Sequence, residues 1–126
     1  MQKHILSIDD EQEIRELLQE ALTMYGYRVS VASSAEAARR IVKADPPNLI
    51  ISDLQMEDTD GLTLVEELKN LAPDVPVMLL TGVVFDPEVV QETIGKKVSS
   101  YLDKTTSLDG IVIEVRRLLG EVPGKG

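Results

Sequence analysis

Two hydrophobic patterns alternate along this chain, one typical of buried strands and the other of amphipathic helices. Short runs of aliphatic residues end in polar or acidic residues, which predicts strands that are buried on both faces. Between these runs, apolar residues recur every three or four positions, which is the spacing of one helix face. The predicted strands are residues 4–8, 28–32, 49–52, 77–80 and 100–102.

Five predicted helices follow the five strands. The first should end at Gly26, because glycine readily adopts the left-handed conformation that often ends a helix. Ser33 and Glu36 have the spacing of a capping box at the start of the second helix, and Thr106 is expected to cap the fifth. The apolar positions that mark the helices lie within residues 14–25, 35–42, 64–71, 89–94 and 108–119.

The strict alternation of strands and helices predicts an α/β fold in which helices cover both faces of a parallel sheet. Right-handed crossovers leave few topologies. The common one for five strands and five helices is the flavodoxin-like, doubly wound sheet with strand order 2-1-3-4-5. At 126 residues the chain has the length of one domain. We expect that domain to span residues 1–120, followed by a flexible tail or the start of a linker at residues 121–126.

Charge and composition argue against several classes of protein. The formal net charge is −9, aromatic residues make up 3% of the chain and tryptophan is absent, whereas a nucleic-acid-binding surface needs clustered cations and often stacking rings. No apolar run approaches the roughly 20 residues that span a bilayer, and the N-terminus lacks the apolar core of a signal peptide. The lack of cysteine excludes disulfides. We therefore expect a cytoplasmic protein that binds neither membranes nor nucleic acids directly.

Polar residues follow four of the predicted strands at the point where each strand ends. Asp9 and Asp10 follow the first strand, Asp53 follows the third and Thr81 follows the fourth. Lys104 comes just after the fifth strand. Because the carboxyl ends of parallel strands meet at one edge of the sheet, where open α/β folds bind their ligands, we expect these five side chains to lie together.

Such a set of residues suits phosphoryl transfer to an aspartate. Crowded carboxylates repel one another unless a cation joins them, and Mg²⁺ prefers oxygen ligands and also coordinates phosphate oxygens. Asp53 is the expected nucleophile, which would form an aspartyl phosphate. Lys104 and Thr81 would stabilise the charge on the phosphoryl oxygens, where positioned donors lower the barrier.

Four segments together resemble the receiver domain of response regulators in two-component signal transduction. They are Asp9-Asp10, residues 49–56 with Asp60-Gly61 after them, residues 77–82 and residues 101–104. The resemblance covers essentially the whole chain. It implies that Asp53 takes a phosphoryl group from a histidine kinase or a histidine phosphotransfer protein. It also implies a module that catalyses its own modification but turns over no external substrate.

The same resemblance implies a set of ligands for Mg²⁺. Asp10, Asp53 and the main-chain carbonyl of Gln55 would bind the ion directly. Asp9 would act largely through water.

The resemblance also implies a conformational switch. Thr81 and Tyr101 would change position on phosphorylation and so control a downstream effector protein or output domain. Homodimerisation through the face formed by the fourth and fifth predicted helices and the fifth predicted strand is left open by the sequence.

The chain departs from the usual pattern of this family at several positions. Glu57 and Thr105 stand where the family usually has proline. The second of these prolines directly follows the lysine, often through a cis bond, which costs a non-proline residue roughly 2.5–4 kcal/mol. Either that strain is kept or Lys104 approaches from a different backbone. Val83, two residues after Thr81, cannot orient an attacking water, so we hypothesise a long-lived phosphorylated state.

Two other functions stay compatible with the sequence. A phosphatase of the aspartyl-phosphate type would use a strand-end aspartate with Mg²⁺, but it needs a second acid two residues later, where Gln55 stands, and a substrate cap. A pure interaction module would keep the fold without phosphorylation.

Among single residues, Asp9-Asp10 could simply begin a helix, Tyr101 could be a core residue, and His4 is expected to be structural.

Overall fold

The protein is built on five parallel strands, and the computed structural model describes residues 2–54, 61–82, 88 and 98–120. The strands are β1 (His4–Ile8), β2 (Arg28–Ala32), β3 (Leu49–Ser52), β4 (Val77–Thr81) and β5 (Ser100–Asp103). They form one sheet in the order β2-β1-β3-β4-β5, which confirms the predicted topology. β4 and β5 each extend one residue further than predicted, so that Thr81 pairs with Asp103.

Four helices lie in the described part of the chain. They are α1 (Gln12–Met24), α2 (Ala35–Ala44), α3 (Gly61–Leu71) and α4 (Leu108–Leu118). Gly26 and Gly120 follow α1 and α4 with φ of 91° and 79°, in the left-handed region expected of residues that end a helix. The helix predicted at residues 89–94 and the tail at 121–126 lie outside the described residues. None of the described helices is long and apolar enough to cross a membrane.

The cap of α2 differs from the prediction by one residue. Ser34, not Ser33, is the cap, and its hydroxyl accepts a hydrogen bond of 3.2 Å from the N–H of Ala37. A cap residue is extended and reaches the N–H three residues on, and two adjacent serines cannot be distinguished by spacing alone. Glu36 therefore lies one position nearer the helix start than a capping box requires, and its carboxylate pairs with Arg40 at 3.5 Å.

The predicted cap of α4 is also wrong by one residue. Ser107, not Thr106, caps this helix, and its hydroxyl accepts a hydrogen bond of 3.1 Å from the N–H of Gly110. Threonine and serine are both good caps, so residue type does not decide between them.

Both faces of the sheet are buried, which explains the uninterrupted apolar runs of the strands. Successive strand residues point to opposite faces. Ile50 accordingly packs in a core with residues of α2 and α3, whereas Leu49 and Ile51 pack in a second core with residues of α1 and α4. With both faces covered, the rim at the carboxyl ends of the strands is where polar side chains can gather.

His4 lies at the opposite rim, where β1 begins. Its side chain is buried, and Nε2 is 2.7 Å from the hydroxyl oxygen of Ser30. Burial, with a smaller effect of the nearby Arg28 charge, lowers the pKa of the imidazole. These contacts agree with the structural role expected of this histidine.

Candidate functional site

Main-chain hydrogen bonds continue past the ends of three strands and hold the residues that follow. The N–H groups of Asp9, Asp53 and Lys104 each donate a bond of 3.1 Å to a carbonyl of a neighbouring strand. Those carbonyls belong to β2, β1 and β4 respectively. The main-chain hydrogen bonds of the sheet therefore fix the backbone of these three residues at one edge.

The ammonium of Lys104 joins three carboxylates into one cluster. Its Nζ is 2.7 Å from Oδ2 of Asp53, 3.0 Å from Oδ2 of Asp9 and 2.7 Å from Oε1 of Glu11. Asp9 and Asp53 are buried, and the Lys104 side chain is only 13% exposed. The attraction between Lys104 and Asp53 is therefore screened less by water than that of a surface ion pair.

Asp10 completes the acidic group at this edge. One carboxylate oxygen from each of Asp9, Asp10, Glu11 and Asp53 lies within 4.8 Å of all the others. Four carboxylates thus lie close together beside one ammonium, which leaves an excess of negative charge. Oxygen donors of this kind are the ligands that hard divalent cations prefer, so the residues fit Mg²⁺.

Burial and charge pairing act in opposite directions on the ionisable groups. Burial is the largest influence on Asp9 and raises its pKa, although the N–H of Glu11 and the ammonium of Lys104 favour the charged form. Burial by itself would lower the pKa of Lys104, but hydrogen bonds to Asp53, Glu11 and Asp9 together raise it. The ammonium therefore stays charged at neutral pH, whereas keeping Asp9 ionised costs free energy.

Asp9 has two roles that the sequence presented as alternatives. Its Oδ1 accepts a hydrogen bond of 2.9 Å from the N–H of Glu11 at the start of α1, and its main-chain oxygen accepts one of 2.7 Å from Arg15. The same carboxylate contacts Lys104 through Oδ2. Asp9 therefore supports the helix start and belongs to the acidic cluster.

Glu11 is the member of the cluster that the sequence interpretation missed. It is the cap residue of α1, but its side chain makes no capping hydrogen bond and instead contacts Lys104. The available signal was its position directly after Asp9-Asp10. A third consecutive acid at the end of a strand can reach the same edge when the backbone there is extended, as it is at Glu11.

The two residues predicted to form the switch lie on neighbouring strands. Thr81 is fully buried at the end of β4, and Tyr101 on β5 is 38% exposed. The exposure excludes a core role for Tyr101. Burial, and then the charge of Asp103, raise the pKa of its hydroxyl. The movement of Thr81 and Tyr101 on phosphorylation stays a prediction.

Several predicted positions lie outside the described residues. They are Gln55 with its main-chain carbonyl, Glu57, Asp60 and Val83. The Mg²⁺ ligand at Gln55 and the long-lived phosphorylated state inferred from Val83 stay predictions.

The peptide bond that follows Lys104 differs from the cis bond that is common at this position in the family that the sequence resembles. Among the described residues no peptide bond is cis, including the one between Lys104 and Thr105. The lysine approaches Asp53 from a trans backbone, which is the second of the two alternatives raised by the sequence. Asp103 Oδ1 accepts hydrogen bonds from the N–H of Thr105 at 2.7 Å and from its hydroxyl at 2.8 Å.

Residues 5–116 match the sequence model of the response regulator receiver domain. The chain belongs to the response regulator receiver domain family. The matched range runs from β1 into α4 and contains each residue of the acidic cluster together with Thr81 and Lys104. This receiver domain is a signalling module, and the phosphoacceptor role fits its family.

Named relatives of the receiver domain include transcriptional regulators. This receiver domain is 34% identical over 108 residues to the transcriptional regulatory protein GlrR of Escherichia coli (strain K12). The aligned region covers 86% of this chain and 24% of that protein. The domain is 34% identical to the C4-dicarboxylate transport transcriptional regulatory protein DctD of Rhizobium meliloti (strain 1021), with 90% of this chain and 24% of that protein covered. The response regulator MprA of Mycobacterium leprae (strain TN) is 28% identical, with 91% and 50% covered. The chain thus spans a quarter to a half of the length of these relatives.

Solved structures share the fold of the receiver domain. A CheY-like response regulator receiver domain protein of Methanospirillum hungatei JF-1 superposes with a TM-score of 0.89 at 23% identity, and all of both chains is covered. NtrX of Brucella abortus gives a TM-score of 0.85 at 27% identity, with 95% of this chain and 27% of that one covered. Receiver domains bind Mg²⁺ at an acidic pocket, and this receiver domain has an acidic cluster of Asp9, Asp10, Glu11 and Asp53.

Proposed function

We propose that Asp53 of this receiver domain accepts a phosphoryl group and that the modified domain controls a downstream effector protein or output domain. The observation that carries the proposal is the contact of 2.7 Å between Lys104 Nζ and Asp53 Oδ2 inside a cluster of four acids. Once an oxygen of Asp53 has bonded to phosphorus, a small shift of the flexible lysine stem would bring its ammonium against a phosphoryl oxygen.

The transfer forms one bond and breaks another. An oxygen of Asp53 bonds to phosphorus, the bond from phosphorus to the donor atom breaks, and the leaving group keeps the electron pair and takes up a proton. The moving group spreads its charge over three oxygens, so positioned cations and donors lower the barrier. Mg²⁺ held by Asp10, Asp53 and the main-chain carbonyl of Gln55, with Asp9 acting largely through water, would neutralise part of that charge.

Access to Asp53 requires a movement of Lys104. Asp53 is 3% exposed, and the ammonium lies directly against its Oδ2. Because Glu11 and Asp9 also contact this ammonium, it keeps partners when it leaves the Asp53 carboxylate, and the cost of an unpaired buried charge is avoided. Lys104 would then contact one phosphoryl oxygen, and the Thr81 hydroxyl would donate to another.

The phosphoryl donor in this proposal is a histidine kinase or a histidine phosphotransfer protein. The relatives support a downstream response, because they are named as transcriptional regulators and are longer than this chain. Thr81 and Tyr101 would transmit the change toward the output. A homodimer through the face of the fourth and fifth predicted helices and β5 is not needed for the chemical step.

Intact-mass spectrometry tests the proposal. Incubation with acetyl phosphate and Mg²⁺ should add one phosphoryl group to the protein, and Asp53→Asn should abolish the addition. Asp74→Asn removes an exposed acid from the turn before β4 and should leave the addition intact. Addition to Asp53→Asn would overturn the proposal, and repeated release of p-nitrophenol from p-nitrophenyl phosphate would favour the phosphatase.

A further inference from the structure

We propose that the side chains of Asp103 and Thr105 form a bracket that positions Lys104 for phosphoryl transfer. This bracket stands where the family usually has a proline after the lysine. The inference rests on the proposed function, because it concerns how the ammonium of Lys104 comes to meet Asp53. Asp103 and Thr105 are positioning residues, since they act through Lys104.

The bracket closes the backbone on both sides of Lys104. Oδ1 of Asp103 accepts two hydrogen bonds from Thr105, one of 2.7 Å from its N–H and one of 2.8 Å from its hydroxyl. The main-chain oxygen of Asp103 accepts a third bond of 2.9 Å from the N–H of Thr106. An aspartate that binds the N–H two residues on makes a local turn that substitutes for a backbone turn.

A second anchor holds the lysine from the sheet side. The N–H of Lys104 donates a bond of 3.1 Å to the main-chain oxygen of Thr81, and β4 and β5 pair in register up to Asp103. With the strand on one side and the turn on the other, the Lys104 backbone is fixed. A proline would restrict the chain by locking φ, whereas here the restriction comes from two hydrogen bonds that Thr105 donates to the carboxylate of Asp103.

The charge distribution separates the bracket from the acidic cluster. In the described part of the chain, the ammonium of Lys104 contacts Asp9, Glu11 and Asp53, and Asp103 is not among these partners. The bonds from Thr105, first from its N–H and then from its hydroxyl, lower the pKa of Asp103. The carboxylate is therefore ionised at neutral pH and able to accept both bonds.

Three substitutions within the bracket and one control outside it separate the contributions of its parts. Thr105→Val keeps the branched shape and the N–H but loses the hydroxyl bond, so phosphorylation should slow roughly two- to tenfold, the range for one hydrogen bond. Asp103→Ala loses both bonds and should slow it more. Thr105→Ser keeps both bonds and should be phosphorylated at the wild-type rate. Thr106→Val makes the same chemical change one residue further on and should have no effect.

Lysine labelling gives a readout that does not depend on phosphorylation. Reductive methylation followed by peptide mass spectrometry reports the reactivity of Lys104 relative to that of the exposed Lys43 in α2. Thr105→Val and Asp103→Ala should raise the relative reactivity of Lys104 severalfold, because the ammonium is held less firmly against the carboxylates. Thr105→Ser and Thr106→Val should leave it unchanged. Unchanged reactivity in both Thr105→Val and Asp103→Ala would overturn the proposal.

A double-mutant cycle tests whether the bracket acts through Lys104. In a Lys104→Ala background, Thr105→Val should slow phosphorylation no further, and an additional slowing equal to that in the wild type would contradict the proposal. The two proposals fail differently. A protein that is not phosphorylated at Asp53 contradicts the proposed function, while the labelling experiment still decides whether Asp103 and Thr105 hold the lysine.

Discussion

Charge balance at single residues decides how this site behaves. Lys104 faces two buried acids and Glu11, whose side chain is 59% exposed. Water screens the contact with Glu11, and such pairs contribute about 0–1 kcal/mol. Buried Asp9 instead bears a desolvation cost that the ammonium of Lys104 offsets only in part. The excess negative charge favours cation binding at this edge, and the repulsion between the carboxylates destabilises the folded protein there.

Asp9→Asn should stabilise the folded protein at neutral pH. Burial raises the pKa of Asp9, so its contribution to stability is fully present below its ordinary pKa near 3.8 and is lost as pH rises through the raised value. Asparagine does not ionise, and its Oδ1 can still accept the bond from Glu11. The difference in thermal midpoint between variant and wild type should therefore grow from about zero near pH 4 to a few degrees near pH 7. A difference that does not change with pH would contradict this explanation.

Lys104→Ala and Glu11→Gln should have very different effects on phosphorylation. Loss of the positioned ammonium should slow the reaction with acetyl phosphate about 10²- to 10³-fold, as for other preorganised donors. Glu11→Gln removes only a screened contact and should slow it by no more than about fivefold. Single-turnover rates measured by mass spectrometry check both. Similar losses in the two variants would mean that Glu11 has a larger role than its exposure indicates.

At the scale of elements, the strands were predictable because burial on both faces leaves continuous apolar runs. The ends of β1, β2 and β3 fall where the runs end. The caps were each wrong by one residue, because adjacent serine and threonine residues satisfy the same spacing rule. Glu11 was missed because strand-end position identifies which residues reach the edge but not which long side chains turn toward it. The trans backbone at Thr105 depends on a side-chain turn that spacing does not reveal.

Gly61→Ala should destabilise the protein, because Gly61 lies directly against the backbone of Leu54. A Cβ on Gly61 would overlap the Cα of Leu54 and lie 2.5 Å from its carbonyl oxygen, which already accepts a bond of 3.2 Å from the Gly61 N–H. The backbones must separate, so we expect a loss of about 1–3 kcal/mol in the free energy of unfolding and slower phosphorylation. Denaturant unfolding measures the loss. In the control Gly82→Ala the new Cβ would lie 3.8 Å from Lys104 Cδ, an ordinary contact, and a loss as large as that of Gly61→Ala would contradict the steric explanation.

At the scale of the whole molecule, the fold joins residues from opposite ends of the chain. Strand order 2-1-3-4-5 places the ends of β1 and β3 side by side and brings Lys104, which follows β5, to the same edge. This convergence was predictable from topology alone. The response it controls was not, because the chain spans only a quarter to a half of its named relatives.

Mg²⁺ should stabilise the whole domain by binding the folded form. At 100 times its dissociation constant a ligand adds about 2.7 kcal/mol, so the thermal midpoint should rise with Mg²⁺ concentration. Asp10→Asn should remove most of this rise, because Asp10 is a proposed ligand at the acidic edge. Asp74→Asn, away from the cluster, should retain it. Equal rises in the two variants would show that Mg²⁺ binds elsewhere.

Chemical trapping of the modified residue identifies which aspartate is phosphorylated. The protein is incubated with acetyl phosphate and Mg²⁺ and treated with borohydride, which reduces an aspartyl phosphate to homoserine, and its peptides are sequenced by mass spectrometry. We expect homoserine at position 53 and unmodified aspartate at positions 9 and 10. Homoserine at another position, or at none after full exposure to the donor, would show that Asp53 is not the phosphoacceptor.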